Sequence, residues 1–291
     1  MRKGLFLFIL LLSFFGIHLF AQNRDFSKAT ITIRKVAGSV YLLEGPGGNI
    51  AASVGDDGIV FVDDEFLPMA EKVETALKSI SGKPVKFVFN THWHPDHSSG
   101  NPYFGQKAVI IAHENVSKRM LARKRTGLPI VTFNNDVTLH LNGEEFQAIH
   151  FPESHTDGDT VVFFKQAHVV HMGDNLFIGM FPLIDPDSGG TLKGFIATAE
   201  KVLEQVPDDV KIIPGHGPVG TKDDLRKYVA MLKETSAIVQ AGIHRHKTVD
   251  QLKEEKVLAK WDSLSHGTIT TDVFLEMLYD ALTTNSTESQ N

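Results

Sequence analysis

The sequence predicts a single large α/β domain, and two observations lead to that prediction. Short runs of apolar residues typical of strands recur from residue 29 to residue 213, and segments with helical apolar spacing lie among and after them. No low-complexity linker divides the 291 residues, of which 42% are apolar and 22% charged, so the chain can bury one large core. Two similar β-then-α halves with a helical C-terminal part are the expected architecture.

The first half begins as an antiparallel β-meander. Strands are predicted at residues 29–36, 39–43, 50–54 and 59–62, and Asp56-Asp57-Gly58 is a strong hairpin turn between the last two. Apolar residues at helical spacing predict a helix over residues 68–80 that covers the sheet, with Gly82 as its stop. The nearly continuous apolar run at 85–89 then predicts a buried strand.

The second half repeats this theme before the pattern becomes helical. Strands are predicted at residues 109–112, 137–141, 145–151, 160–164, 168–171 and 209–213, with a helix at 192–203. A long helix is predicted from a cap at Thr221, with Asp224 three residues on, to residue 244. A second helix starts near Thr248, with Gln251 in the capping-box position. A last helix is predicted at 271–282, and the polar residues 286–291 are expected to fray.

Four segments carry side chains of the types that can bind metals, and each segment lies just beyond a predicted strand. They are His92-Trp93-His94-Pro95-Asp96-His97, then His155 in Ser154-His155-Thr156-Asp157-Gly158-Asp159, Asp174 in Gly173-Asp174, and His216 in Pro214-Gly215-His216-Gly217. Loops that follow neighbouring strands can converge at one edge of a sheet, where a rigid scaffold holds a metal in fixed geometry. With 14 histidines and no cysteine, such a site must use nitrogen and oxygen ligands.

The other histidines lack a partner motif and are predicted to be structural. They are His113, His140, His150, His168, His171, His244, His246 and His266. Asp157 and Asp159 are expected to support His155 or cap its turn. Residues 101–104 are expected only to start a helix, and the apolar stripe of the helix after His216 is expected to pack as core.

The intact H-x-H-x-D-H motif at residues 92–97, followed by His155, Asp174 and His216 in this order and spacing, resembles the metallo-β-lactamase superfamily. The resemblance covers about residue 30 to residue 216 and implies an α/β fold, a four-layered αβ/βα sandwich with a helical C-terminal tail and metals at the sheet edges. On that basis we expect residues 22–247 to form the metallo-β-lactamase-like domain and residues 248–291 to form a C-terminal helical extension. The Gly189-Gly190 pair after Asp185 resembles the loop that borders the family's substrate cleft, or it is only a helix entry.

The resemblance also implies a ligand set for two zinc ions per chain. His92, His94 and His155 would hold the first zinc, and Asp96, His97 and His216 the second, with Asp174 as the bridge. Zinc in such a site lowers the pKa of bound water from ~15.7 to about 7, which supplies a metal-bridging hydroxide as the nucleophile. Asp96 is the expected catalytic residue, because it would orient that hydroxide as well as bind metal.

The net charge indicates the kind of substrate, and the N-terminal residues indicate the cellular compartment. The net charge of −6 gives no basic surface for phosphate backbones, so a small molecule is the expected substrate and nucleic acid is not. Arg2 and Lys3 precede an apolar run from Leu5 to Leu12, which predicts a signal peptide at residues 1–21 and a periplasmic or secreted protein. An uncleaved membrane anchor is the alternative; after signal removal no stable membrane insertion is expected.

The substrate is the least determined property. Asp174 stands where the best-known β-lactamases carry cysteine or serine, and this arrangement resembles glyoxalase II, acyl-homoserine lactonases and tRNA-processing nucleases. We therefore expect a zinc hydrolase that opens an amide, ester or lactone bond, with β-lactams as candidates. The alternatives are a thioester hydrolase of glyoxalase II type, a mononuclear iron persulfide dioxygenase, and a binding protein that keeps the fold without turnover. His94 stands where flavodiiron relatives place glutamate, which favours hydrolysis over oxygen reduction.

Overall fold

A computed structural model of the chain describes residues 25–288 and shows two β-sheets packed between layers of helices. The predicted signal peptide at residues 1–21 lies outside the described residues. No helix among residues 25–288 combines the length and the apolar character needed to cross a membrane.

The first sheet is formed by the N-terminal half. Its strands, in spatial order, are β1 (Thr32–Ala37), β2 (Val40–Glu44), β3 (Ile50–Gly55), β4 (Gly58–Val62), β5 (Val85–Asn90), β6 (Val109–His113) and β7 (Val131–Phe133). Strands β1 to β4 are the predicted antiparallel meander, and β4 to β7 pair in parallel. The parallel pairing points the C-terminal ends of β4 and β5 to the same edge, and β5 leads into the motif at residues 92–97.

The second sheet is formed by β8 (Asp136–Leu141), β9 (Glu144–His150), β10 (Thr160–Phe164), β11 (Val169–His171), β12 (Lys211–Ile213) and β13 (Gly220–Thr221). Strands β8 to β11 are an antiparallel meander, β12 lies parallel to β11, and β13 closes the edge. Because β11 and β12 run in parallel, the residues that follow them emerge side by side.

The helices cover the outer faces of both sheets. They are α1 (Ala70–Ile80), α2 (Pro95–Ser98), α3 (Asn101–Phe104), α4 (Glu114–Ala122), α5 (Leu192–Gln205), α6 (Lys222–His244), α7 (Val249–Glu254) and α8 (Thr271–Glu288). The capping boxes predicted at Thr221 and Thr248 are both present, with Asp224 and Gln251 as the reciprocal partners. Helix α8 runs to Glu288, beyond the predicted end at residue 282.

Apolar side chains pack between the two sheets and on the outer face of each sheet, which gives four layers. Between the sheets, inward side chains of both sheets pack together, among them Phe89 from one sheet and Phe146 and Phe164 from the other. Helix α1 packs on the outer face of the first sheet, and α5, α6 and α8 pack on the outer face of the second. This order of layers is the αβ/βα sandwich that the motif implied.

The C-terminal helices share the core of the second sheet. Phe274 of α8 is fully buried, and its ring stacks on Phe181 at 4.4 Å between centroids. Phe181 also donates its backbone N–H to the carbonyl of Leu264 at 3.0 Å. The C-terminal residues therefore pack on the segment that follows Asp174, close to the candidate site.

Candidate metal centre

All four predicted ligand segments meet at one edge of the two sheets. His92 follows β5, His155 lies between β9 and β10, Asp174 follows β11, and His216 follows β12. The motif does not remain a loop throughout, because His94 is the N-cap of α2 and Asp96 and His97 lie within that short helix. The turn into α2 separates the two pairs of motif ligands.

The first group contains His92, His94, His155 and Asp174, whose ligand atoms all lie within 4.8 Å of one another. His94 Nδ1 is 2.9 Å from His155 Nε2. Asp174 Oδ2 is 3.5 Å from His155 Nε2 and 3.8 Å from His92 Nε2. The group is deeply placed, since His92 and His155 are 1% and 0% exposed.

The second group contains Asp96, His97 and His216, again with ligand atoms within 4.8 Å of one another. Asp96 Oδ2 is 3.6 Å from His97 Nε2 and 3.4 Å from His216 Nε2, and the two Nε2 atoms are 3.3 Å apart. The other oxygen of Asp174, Oδ1, is 3.1 Å from His97 Nε2 and 3.4 Å from His216 Nε2. Asp174 therefore faces both groups, one oxygen toward each.

This donor set fits divalent metal ions. Ligand atoms about 2.0–2.1 Å from a tetrahedral zinc ion are about 3.3 Å apart, close to most spacings within the two groups. His92 Nε2 is buried without a hydrogen-bond partner among the described residues, which is costly unless something else satisfies it. Nitrogen and carboxylate donors suit zinc, iron and manganese alike.

Gly48 and Gly215 let the backbone approach these ligands closely. A Cβ atom on Gly48 would collide with the imidazole ring of His97, and one on Gly215 would collide with Oδ1 of Asp174. Any side chain at either position would occupy space next to the ligand atoms. These glycines therefore keep the centre open.

A buried carboxylate that the sequence analysis missed orients His97. Asp63, which directly follows β4, accepts a hydrogen bond from His97 Nδ1 at 2.7 Å. Asp63 also accepts from the backbone N–H and the hydroxyl of Thr91, at 2.7 and 2.8 Å. The Thr91 hydroxyl lies 3.0 Å from His92 Nδ1. With their Nδ1 atoms engaged, His97 and His92 present Nε2 to the centre.

The other two histidines are held by the segment at residues 183–188. His155 Nδ1 donates to the carbonyl of Leu183 at 2.7 Å. His94 Nε2 lies 2.9 Å from Asp185 Oδ2. His94 consequently presents Nδ1 to the centre, whereas His155 presents Nε2. Sequence reasoning singled out Asp185 only as a landmark before Gly189-Gly190.

Burial and nearby carboxylates divide the histidines into two electrostatic classes. Burial lowers the pKa of His92 well below its usual range and that of His155 to about 4. Burial opposes protonation of His97 and His216 too, but the charges of Asp174 and Asp96 outweigh it. They raise the pKa of His97 well above its usual range and that of His216 to about 10. A metal ion entering the second group must therefore displace protons.

Of the two aspartates in the His155 loop, Asp159 caps the turn as expected, whereas the Asp157 side chain contacts α4 instead. Asp159 accepts hydrogen bonds from the backbone N–H and the hydroxyl of Thr156, at 2.9 and 2.6 Å, and burial raises its pKa to about 8. Asp157 forms an ion pair with Arg119 of α4 at 2.6 Å. Neither belongs to a ligand group found among the described residues.

The histidines predicted to be structural also lie outside both groups of the described residues. His171 Nε2 is 2.9 Å from the carbonyl of Asn49, and His168 pairs with Asp209 at 3.0 Å. His113 and His150 stack with 3.6 Å between ring centroids.

Curated proteins with similar sequences include two kinds of enzyme. The chain is 25% identical over 247 residues to "Metallo-beta-lactamase type 2" of Bacteroides fragilis, covering 76% of this chain and 96% of that protein. It is 30% identical over 164 residues to the "2,4-dinitroanisole O-demethylase subunit alpha" of Nocardioides sp. (strain JS1661), covering 54% of this chain. The matched region spans 50% of that subunit's length.

Solved structures show the same fold. A metallo-beta-lactamase from Pontibacter korlensis superimposes with a TM-score of 0.64 at 20% identity, covering 70% of this chain and 99% of that chain. The DIM-1 metallo-beta-lactamase gives a TM-score of 0.62 at 18% identity, covering 70% of this chain and 98% of that chain.

A family profile accounts for the region that holds the centre. Residues 60–216 match the profile described as "Metallo-beta-lactamase superfamily". This segment begins in β4 and ends at His216, so it contains all seven candidate ligands. The fold, the clustered side chains and the matched profile agree, and the chain belongs to the metallo-β-lactamase superfamily.

Proposed function

We propose that this protein is a binuclear zinc hydrolase that opens an amide, ester or lactone bond, with β-lactams among its candidate substrates. The proposal rests on one observation: seven candidate ligand side chains lie together in two adjoining groups. Asp174, one of the seven, has one carboxylate oxygen near each group. His92, His94 and His155 would hold one ion. Asp96, His97 and His216 would hold the other.

Exposure indicates the side from which substrate approaches. The side chains of His94, Asp96 and His216 are 16%, 25% and 23% exposed, whereas that of Asp174 is only 7% exposed. The three partly exposed side chains come from both groups. Substrate would therefore reach the centre across His94, Asp96 and His216, with Asp174 at the base.

Asp96 is the residue we assign to hold the attacking water. A bound divalent ion lowers the pKa of water from ~15.7 to about 7 and makes a nucleophile available near neutral pH. In the metal-free protein burial favours the neutral acid, but the charges of His97 and His216 hold the pKa of Asp96 below its usual range, and a bound cation would take over that role. The ionised carboxylate can accept a hydrogen bond from the water and keep it aligned.

The comparisons keep two substrate classes open. The relative from Bacteroides fragilis, named a metallo-beta-lactamase, matches over nearly its full length, which supports β-lactams as candidates. Asp174 in place of the cysteine or serine expected of dedicated β-lactamases supports other esters, lactones or thioesters.

Cleavage of an aromatic methyl ether is a second candidate, suggested by the relative named 2,4-dinitroanisole O-demethylase. A pocket of about 310 Å³ is lined by Phe177, Tyr228 and Trp261 together with the charged side chains of Asp224 and Lys227, and by none of the seven candidate ligands. The ring of Phe177 also stacks on His216, with 5.5 Å between ring centroids, so one wall residue of the pocket contacts the second group. A planar aromatic substrate would suit such walls.

We also propose the organisation of the whole chain. Residues 1–21 would be a signal peptide that directs the protein to the periplasm or outside the cell. Residues 22–247 would form the catalytic domain. Residues 248–291 would form an extension that supports the segment after Asp174, as the stacking of Phe274 on Phe181 suggests.

A substrate panel tests the proposed function. Purified zinc-loaded protein is assayed with nitrocefin, a lactone, a thioester and 2,4-dinitroanisole, before and after removal of metal by a chelator. We expect chelator-sensitive turnover of at least one amide, ester or lactone substrate. Loss of metal without loss of turnover would refute the proposal, and turnover restricted to 2,4-dinitroanisole would favour the second candidate.

A matched pair of variants tests whether turnover depends on the candidate metal centre. His94→Ala should reduce turnover by at least ~100-fold, because even partners behind a ligand usually contribute 10–100-fold. His168→Ala makes the same change at an exposed residue that pairs with Asp209, and it should leave turnover unchanged. Equal activities of the two variants would contradict the assignment.

A further inference from the structure

The segment at residues 183–188 contacts the first ligand group from behind. His155 Nδ1 donates to the Leu183 carbonyl, and Asp185 donates its backbone N–H to the His155 carbonyl at 3.1 Å. The Asp185 carboxylate lies against His94. One short segment thus reaches two of the three histidines in the first group.

The Asp185 contact determines which nitrogen His94 turns inward. A carboxylate can only accept a hydrogen bond, so His94 Nε2, 2.9 Å from Asp185 Oδ2, must carry the proton. When His94 carries a single proton, its lone pair therefore lies on Nδ1, the atom 2.9 Å from His155 Nε2. Without an acceptor at Asp185, the two ring tautomers of His94 would compete.

Asp185 is itself held in place. Ser188 donates its backbone N–H to Oδ1 at 3.1 Å and its hydroxyl to Oδ2. The indole N–H of Trp93, the residue between the first two motif histidines, donates to the Ser188 hydroxyl at 3.2 Å. Trp93 is 4% exposed and Ser188 1% exposed, so both are packed firmly. A connected series of hydrogen bonds therefore runs from Trp93 to His94 through Asp185.

Arg119 of α4 fastens the same segment to the His155 loop. Its guanidinium pairs with both oxygens of Asp157, at 2.6 and 2.8 Å, and also donates to the carbonyl of Asp187 at 3.3 Å. The backbone N–H of Asp157 donates to the Ser188 carbonyl at 2.8 Å. The position of Asp185 relative to His155 is thereby fixed from two sides.

We infer that Asp185 is a positioning residue that fixes His94 in the tautomer with an inward Nδ1 lone pair and so sets the metal affinity of the first ligand group. The inference rests on the proposed function, since Asp185 acts only through His94. A partner of this kind contributes about 10–100-fold to metal affinity in proteins. The hydrogen bond from His94 Nε2 to Asp185 leaves Nδ1 as the ring nitrogen that binds metal, so the effect of Asp185 is confined to the first ligand group.

Zinc titrations of three variants test the inference. The full chain is titrated with Zn²⁺ in competition with the chelator Mag-fura-2, and the ring ¹⁵N shifts of His94 are recorded on the metal-free protein. Asp185→Ala should weaken the affinity of one zinc equivalent by about 10–100-fold and leave His94 as a mixture of tautomers. Asp185→Asn should lose less, because its amide oxygen can still accept from Nε2.

Asp187→Ala is the matched control. It removes the same charge two residues away, from an exposed side chain in the same turn, and should leave zinc affinity and the His94 shifts unchanged. Thermal unfolding of each metal-free variant separates positioning from folding. A lower Tm for Asp185→Ala with unchanged zinc affinity would show a merely structural role and overturn the inference.

The inference and the proposed function can fail separately. A wild-type protein that binds no zinc would refute the proposed function. A wild-type protein that binds zinc, together with an Asp185→Ala variant of equal affinity and a single His94 tautomer, would refute the role of Asp185 alone.

Discussion

Replacing Asp63 should damage the fold even in the absence of metal. The Asp63 side chain is fully buried and accepts three hydrogen bonds, two from Thr91 and one from His97. Asp63→Ala would leave three buried donors without an acceptor, each at a cost of about 1–3 kcal/mol. The expected loss in the free energy of unfolding is therefore about 3–9 kcal/mol, comparable to the whole stability of many domains.

Asp63→Asn provides a milder version of the same test. Asparagine keeps the shape and tolerates the positive φ of 64° at this residue, but its NH₂ group must face at least one donor. We expect a loss of about 1–3 kcal/mol for this variant. Urea unfolding followed by circular dichroism, with a chelator present, measures the free energy of unfolding of the Asp63→Ala and Asp63→Asn variants. Stability of Asp63→Ala within about 1 kcal/mol of the wild type would refute the reasoning.

Three further predictions follow from the site and the core. Zinc binding should release protons near neutral pH, because His97 and His216 have pKa values raised above the ordinary 6.5 and stay protonated in the metal-free protein until the pH rises through those values. Calorimetric titrations in buffers of different ionisation enthalpy count the protons, and a count of zero would contradict the prediction. Gly48→Ala should abolish tight zinc binding, since its methyl group would displace the His97 ring; an unchanged zinc affinity would disprove that steric role. Phe274→Ala should lower the free energy of unfolding by about 3–5 kcal/mol, because the ring is buried against Phe181. A urea transition of Phe274→Ala at the same midpoint as that of the wild type would instead show that the C-terminal helices do not support the core.

The seven candidate ligands could be predicted from the sequence, whereas the residues that hold them in place could not. The motif at 92–97 is contiguous, and the later candidates each follow an apolar strand, so both carry a local signal. Asp63 and Asp185 have no such signal. Asp63 is 34 residues from His97, and Asp185 is 91 residues from His94, so their hydrogen bonds exist only once the sheets have formed.

The secondary structure, too, could be predicted where the signal is local and not where it depends on tertiary contacts. Long periodic segments such as α5 and α6 were predicted, as were the capping boxes at Thr221 and Thr248. Helix α4 was missed because it buries only Val116 and Met120 and is capped by His113, an unusual capping residue. The three-residue strand β7 is too short for a periodic signal, and its position depends on pairing with β6.

A crystal structure of the zinc-loaded protein, with anomalous data collected at the zinc edge, tests the central claim most directly. We predict two anomalous peaks on either side of the Asp174 carboxylate, one contacting His92, His94 and His155 and the other contacting Asp96, His97 and His216. No peak at these side chains, or a single peak at the iron edge instead, would contradict the account.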